Sequence, residues 1–136
     1  MATKTNHTVI SCKDLSIGYR HKKKVAVIAK EISFSITEGT LVAMVGSNGI
    51  GKSTLLKTLT AMLPALSGSI QINGKETTAY STLERSSKLS VVLTEAPASK
   101  NMSVIELVSL GRQPYTNWMG TLTQQDKNKI LEALND

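Results

Sequence analysis

Residues 46 to 54 read Gly-Ser-Asn-Gly-Ile-Gly-Lys-Ser-Thr, and Gly46, Gly51, Lys52 and Ser53 stand at the spacing of the P-loop pattern G-x-x-x-x-G-K-[ST]. That spacing belongs to a backbone that wraps phosphate groups. Turning successive N–H groups inward needs dihedral angles open chiefly to residues without a Cβ, and Gly46, Gly49 and Gly51 supply that freedom. Ser47, Asn48 and Ile50 complete the cradle between them. Lys52 brings a cation to the β- and γ-phosphates, Ser53 a hydroxyl to Mg²⁺, and Thr54 a hydroxyl to a phosphate oxygen at the start of the next helix. The motif therefore predicts a bound nucleotide with Mg²⁺, and makes Lys52 the catalytic cation.

Such a loop works only between a strand that delivers it and a helix that opens from it. Leu41, Val42, Ala43, Met44 and Val45 form an unbroken apolar run, which predicts a strand buried on both faces. Leu55, Leu56, Leu59 and Met62 then recur at helical spacing until Pro64, which predicts a helix up to that proline. The positive end of that helix would face the loop, an attraction for anions of about 0.3–1 kcal/mol at a surface and up to about 2 kcal/mol when partly buried.

The elements around this centre are legible from patterning. Val9 to Tyr19 and Val25 to Ile36 are rich in β-branched residues and predict two antiparallel strands, joined by Arg20, His21, Lys22, Lys23 and Lys24, a solvated basic tip whose place just after Tyr19 leaves a nucleotide-facing role open. Glu38-Gly39 is the turn that follows. Gly68 to Ile72 predicts a strand, Asn73-Gly74 a hairpin turn and Lys75 to Thr78 its return strand. Ser81 or Thr82 caps a short helix through Lys88, and Leu89 to Leu93 reads as a second apolar strand with Glu95 just after it. Ala96 to Asn101 is loop. Ser103 caps a helix that Gly111 ends, and Thr123, with Asp126 in the first turn, starts a last helix reaching Leu134. Its apolar Ile130, Leu131 and Leu134 need a partner surface, which points to an incomplete domain.

Bulk properties narrow the field without choosing a function. The 136 residues suffice for one core, and 16 basic against 10 acidic side chains favour phosphates, nucleic acid or anionic surfaces alike. A single cysteine, Cys12, cannot form an internal disulfide and suits a small buried residue in a reducing compartment. Apolar runs of about five residues fall far short of the roughly twenty that cross a bilayer, so any membrane association must come through a partner. Leu89 to Glu95 is the one segment shaped like an apolar strand ending in an acid, so the residues alone offer Glu95 as the carboxylate beside the metal.

From about Val9 to Asp136 the sequence resembles the ATP-binding subunits of ABC transporters. The resemblance is carried by LSIGY ending at Tyr19, by EISFSITEGTLVAMVGSNGIGKSTLLKTL and by SGSIQINGK. SVIELVSLGRQPYTNWMG is narrower, and resembles importers of ferric siderophores, haem and cobalamin. Taken alone, that last stretch is an amphipathic helix and loop with Tyr115 and Trp118 as core.

The resemblance implies an α/β P-loop NTPase fold, incomplete here: an antiparallel β subdomain, the P-loop half of the core and the start of a helical subdomain. It implies ATP and Mg²⁺ as ligands, with Tyr19 stacked on adenine, an interaction of roughly 1–3 kcal/mol. It implies a second ATPase subunit and transmembrane permease subunits as partners, no nucleic acid, no direct membrane insertion, and a place on the cytoplasmic face of the membrane. Glu95 stands where the family has a glutamine that touches Mg²⁺ and the attacking water and relays nucleotide state; an ionised carboxylate there accepts from metal-bound water but donates nothing. No LSGGQ-like signature, aspartate-glutamate Walker B pair or later switch histidine occurs, His7 and His21 lying too early. The expectation is thus a flexible segment over 1–8 and, over 9–136, the N-terminal part of a nucleotide-binding domain that alone hydrolyses ATP slowly or not at all. Two other functions stay open at this point. A small P-loop kinase or transferase would have only Arg20, Arg85 and Arg112 to bring over the phosphates, and a basic binding module would contact nucleic acid or anionic lipid.

Overall fold

The computed structural model of the chain describes residues 7–92 and 101–135. It divides into two compact units, one reaching to Ser81 and the other starting at Thr82.

The first unit is built on two long antiparallel strands, β1 (Thr8–His21) and β2 (Lys24–Thr37), which close to a two-residue turn between His21 and Lys24. Their β-branched content and partial alternation produce the pairing, but the ladder is not regular. Lys13 and Asp14 oppose Ser33 alone, and Asp14, at φ 49, donates its N–H to Ser33 Oγ at 2.9 Å. A second irregularity leaves Ile28 as an extra residue between the pairs Ile17↔Ala29 and Gly18↔Val27. On the other side of β1 lies β3 (Ser67–Ile72), then β4 (Lys75–Glu76), giving the antiparallel order β2-β1-β3-β4. Asn73 and Gly74 take φ of 49 and 76, as the turn type required.

One helix, α1 (Lys52–Leu59), packs on this sheet. Cys12, Leu15 and Ile17 of β1, Ile70 of β3 and Leu59 of α1 form the core, flanked by Phe34, Ile32 and Leu55. The Cys12 thiol points to Ile32 O at 3.7 Å, and burial pushes it above the ordinary thiol range, so it serves as packing.

Four sequence expectations are corrected here. The run Leu41 to Val45 is not a buried strand: it lies outside every strand, with Leu41 97% and Val45 92% exposed. A parallel strand is stable only between neighbours, and none of the described residues supplies them. Leu89 to Val92 is unpaired for the same reason, while Leu93 lies outside the described residues. The return strand after Asn73-Gly74 spans Lys75–Glu76 only; Thr77–Ala79 forms a 3₁₀ turn, and the Tyr80 hydroxyl takes the Ile72 carbonyl at 2.8 Å. Finally, α1 ends at Leu59, before Met62 and Pro64, because Ala61 turns left-handed at φ 56 and Leu63 N–H reaches back to Lys57 O at 3.0 Å. Thr8 belongs to β1, and His7 O accepts from Glu38 N–H at 2.8 Å.

The second unit contains α2 (Thr82–Ser86), α3 (Val104–Leu110) and α4 (Gln124–Asn135). Ser103 and Glu106 form a reciprocal capping box at the start of α3, and the bonds from Ser103 hold the Glu106 carboxyl below its usual range. Thr123 and Asp126 do the same for α4, through Thr123 N–H to Oδ2 at 2.9 Å and Asp126 N–H to Oγ1 at 3.2 Å. Arg112 then donates from Nε and Nη2 to Asp126 Oδ1 at 2.9 and 2.7 Å, tying the segment after α3 to the first turn of α4. Of the apolar residues of α4, Ile130 is buried, Leu134 half-buried and Leu131 exposed. Tyr115 and Trp118 are not core: Trp118 is 94% exposed and Tyr115 lies under the Arg112 guanidinium, 4.2 Å from ring centroid to Cζ.

Candidate functional site

The loop from Gly46 to Gly51 leads directly into α1, so its backbone and the first turn of that helix meet at one place. Gly49 at φ 82 and Gly51 at φ 109 occupy the left-handed region that the sequence assigned to glycine. Gly46 does not; a Cβ there would stand 3.2 Å from Ile50 Cγ2, so its demand is for space rather than for an unusual angle. Gly51 is doubly constrained, because a Cβ would come 2.5 Å from Ile28 Cγ2. The extra residue in β2 thus forms a wall of the loop, a contribution of Ile28 that no motif in the sequence announces.

Lys52 opens the helix, and its ammonium donates to Gly46 O at 2.7 Å and to Ser47 O at 2.9 Å. The cation is therefore held over the loop, at the end where α1 presents its positive dipole. Gly51 at the N-cap has no side chain to cap α1 and no acid stands in its first turn, which leaves donors at this end for an anion. Ser53 is exposed beside Lys52, as a hydroxyl serving Mg²⁺ must be.

Thr54 is placed differently from Ser53. It is buried, and its Oγ1 shares a hydrogen bond with Tyr19 Oη at 3.2 Å. Tyr19 itself is 47% exposed near the end of β1, so its hydroxyl is anchored while part of the ring meets solvent. The structure brings together Tyr19, Lys52, Ser53, Thr54 and the loop residues Gly46, Ser47, Asn48, Gly49, Ile50 and Gly51. Ser47, Asn48 and Ile50 are all exposed, with Ile50 N–H reaching Ser47 O at 3.4 Å. Glu95, the candidate carboxylate, lies outside the described residues. Among the described residues no cluster of three or more His, Cys, Asp or Glu side chains could hold a metal, which leaves Ser53 as the candidate metal group there.

Known proteins resemble the chain over most of its length. The family model of the ABC transporter matches residues 29–136. An uncharacterized ABC transporter ATP-binding protein of Methanocaldococcus jannaschii is 35% identical over 125 residues, 92% of this chain and 42% of its own length. The iron(3+)-hydroxamate import ATP-binding protein FhuC of Bacillus subtilis is 32% identical over 93% of this chain and 46% of its own. Among solved structures, an ABC transporter ATP-binding protein from Pyrococcus furiosus superposes with a TM-score of 0.68 at 30% identity, over 93% of this chain and 55% of that one. The chain thus spans less than half the length of the two curated relatives.

Proposed function

The chain belongs to the ABC transporter family, and from that premise we propose that it binds Mg-ATP as the P-loop half of an importer ATPase. The observation that supports this reading most is the Lys52 ammonium held at 2.7 and 2.9 Å on the loop carbonyls, over a helix end without a cap or an acid. Phosphate oxygens are the ligands that such a set of donors suits.

Gly46 through Gly51 would hold the phosphates with their N–H groups, Lys52 would be the catalytic cation and Thr54 would border the phosphate end. Tyr19 would offer its exposed ring face to adenine. Ser53, with Glu95 on the metal side, would hold Mg²⁺, which neutralises phosphate charge when bound. The cargo of the complete system would be a ferric chelate or a cobalamin-like molecule, as the relative named for iron(3+)-hydroxamate import suggests. A second ATPase subunit and permease subunits would be its partners, and the permease would keep the chain at the cytoplasmic face of the membrane. Among the described residues no helix is long and apolar enough to cross a membrane.

Within these 136 residues there is no LSGGQ-like signature, no Walker B pair and no switch histidine, so binding without turnover is the expected behaviour. Calorimetric titration with Mg-ATP, paired with phosphate-release measurements, tests both halves. Saturable binding weakened by Lys52→Ala, with no release above background, is the expected result. Absence of saturable binding would overturn the nucleotide reading, and release abolished by Lys52→Ala would overturn the inactivity.

A further inference from the structure

The hairpin that carries Tyr19 ends in five consecutive basic side chains, Arg20, His21, Lys22, Lys23 and Lys24, all exposed. Four of the chain's 16 Lys and Arg side chains fall within this one turn, a local concentration of positive charge. Among the described residues none of the five is ion-paired. Lys22 sits at φ 52, in the left-handed region where glycine or asparagine is conformationally cheaper. A cation thus stands at a position whose backbone favours another residue.

Register shows which way the turn faces. Tyr19 pairs with Ala26 and His21 with Lys24, so these four share one face of the ribbon. It is the face that Tyr19 turns toward Thr54, at the N-terminal end of α1. His21 stands two residues, about 6.8 Å along the strand, beyond Tyr19. The basic tip therefore flanks the approach to the same helix end that Lys52 opens.

We propose that this tip is a capture element for the polyphosphate of the nucleotide, raising its association rate rather than its residence time. Exposed, unpaired cations on long stems add little to a static complex in water, but their summed field acts on an approaching anion over a Debye length. The inference rests on the nucleotide reading. Nucleic acid would respond to the same charge; the face shared with Tyr19 and Thr54 favours the nucleotide.

Stopped-flow association of a fluorescent ATP analogue with the full chain tests it, comparing wild type with the double variant Lys22→Gly and Lys23→Ser. Both residues are exposed in the turn, and glycine relieves the left-handed angle at 22. The association rate of the variant should fall about 3- to 10-fold at 10 mM salt, where the Debye length is about 30 Å. The two proteins should converge to within about 1.5-fold at 1 M salt, where it is about 3 Å, with dissociation rates equal throughout. Intact binding with an unchanged association rate and salt slope overturns the proposal alone, as does a change confined to dissociation. An unchanged nucleotide rate with weakened binding of a single-stranded oligonucleotide also overturns it, and assigns the tip to nucleic acid. No saturable signal from the wild type at any salt overturns the nucleotide reading and this inference with it.

Discussion

Tyr19 Oη stands 3.2 Å from Thr54 Oγ1, a hydrogen bond between residues 35 apart that joins the end of β1 to the first turn of α1. It fixes the ring beside the N-terminal end of the helix, and separates two roles of one side chain. Tyr19→Phe keeps the ring and loses the bond, so stability should fall by about 0.5–1.5 kcal/mol with nucleotide affinity nearly kept. Tyr19→Ala removes the stacking surface, and affinity should fall by roughly 1–3 kcal/mol, or about 5- to 160-fold. Denaturant melts and calorimetric titration of both variants make the comparison; equal affinity loss in the two would contradict a stacking role.

Gly51→Ala should be costly for two separable reasons. The φ of 109 penalises any side chain, by about 1–2 kcal/mol, and the new methyl would meet Ile28 Cγ2 at 2.5 Å. Adding Ile28→Ala to Gly51→Ala should restore the steric share of the loss and leave the backbone share. A double-mutant cycle read by thermal melting gives the coupling; additive effects would mean that Ile28 does not wall the loop.

Asp126 should make the second unit acid-sensitive in a narrow window. Its carboxyl is lowered from 3.8 to about 2, first by the bond from the Thr123 side chain and then by those from Arg112. A group whose folded value is depressed contributes its full stabilisation above the unfolded value and loses it as pH falls through the folded one. Helical signal of the second unit should thus hold above about pH 4 and decline toward pH 2. Asp126→Asn should weaken the unit at neutral pH and flatten that decline, as followed by circular dichroism; an unchanged acid profile would exclude a stabilising role for the Thr123 and Arg112 bonds to Asp126.

Leu41 offers a direct check on the exposed apolar run. With 97% of its surface open to water, Leu41→Lys should leave stability within about 0.5 kcal/mol of wild type. It should also lower self-association measured by light scattering, since an uncharged β-prone stretch invites strand pairing between copies. A large loss of stability would instead show that Leu41 is buried.

What the sequence made legible was local. Asn73-Gly74, the Ser103 cap and the basic hairpin tip depend on a few neighbouring residues, and the structure places each where its chemistry asks. Leu41 to Val45 misled because a buried parallel strand is defined by partners distant in sequence, and hydrophobicity alone does not provide them. Ile28 went unnoticed because a bulge depends on register between two strands, which composition does not record. The burial of Thr54 against Tyr19 is likewise a long-range contact, invisible to the motif that contains Thr54.

The most direct test of nucleotide binding at Gly46 to Thr54 is the melting temperature of the chain with and without Mg-ATP, in wild type and Lys52→Ala. A ligand at about 100 times its dissociation constant stabilises by roughly 2.7 kcal/mol, so the wild type should melt several degrees higher and the variant should show little or no rise. A wild type indifferent to Mg-ATP, or a Lys52→Ala variant stabilised as much as the wild type, would contradict the phosphate cradle.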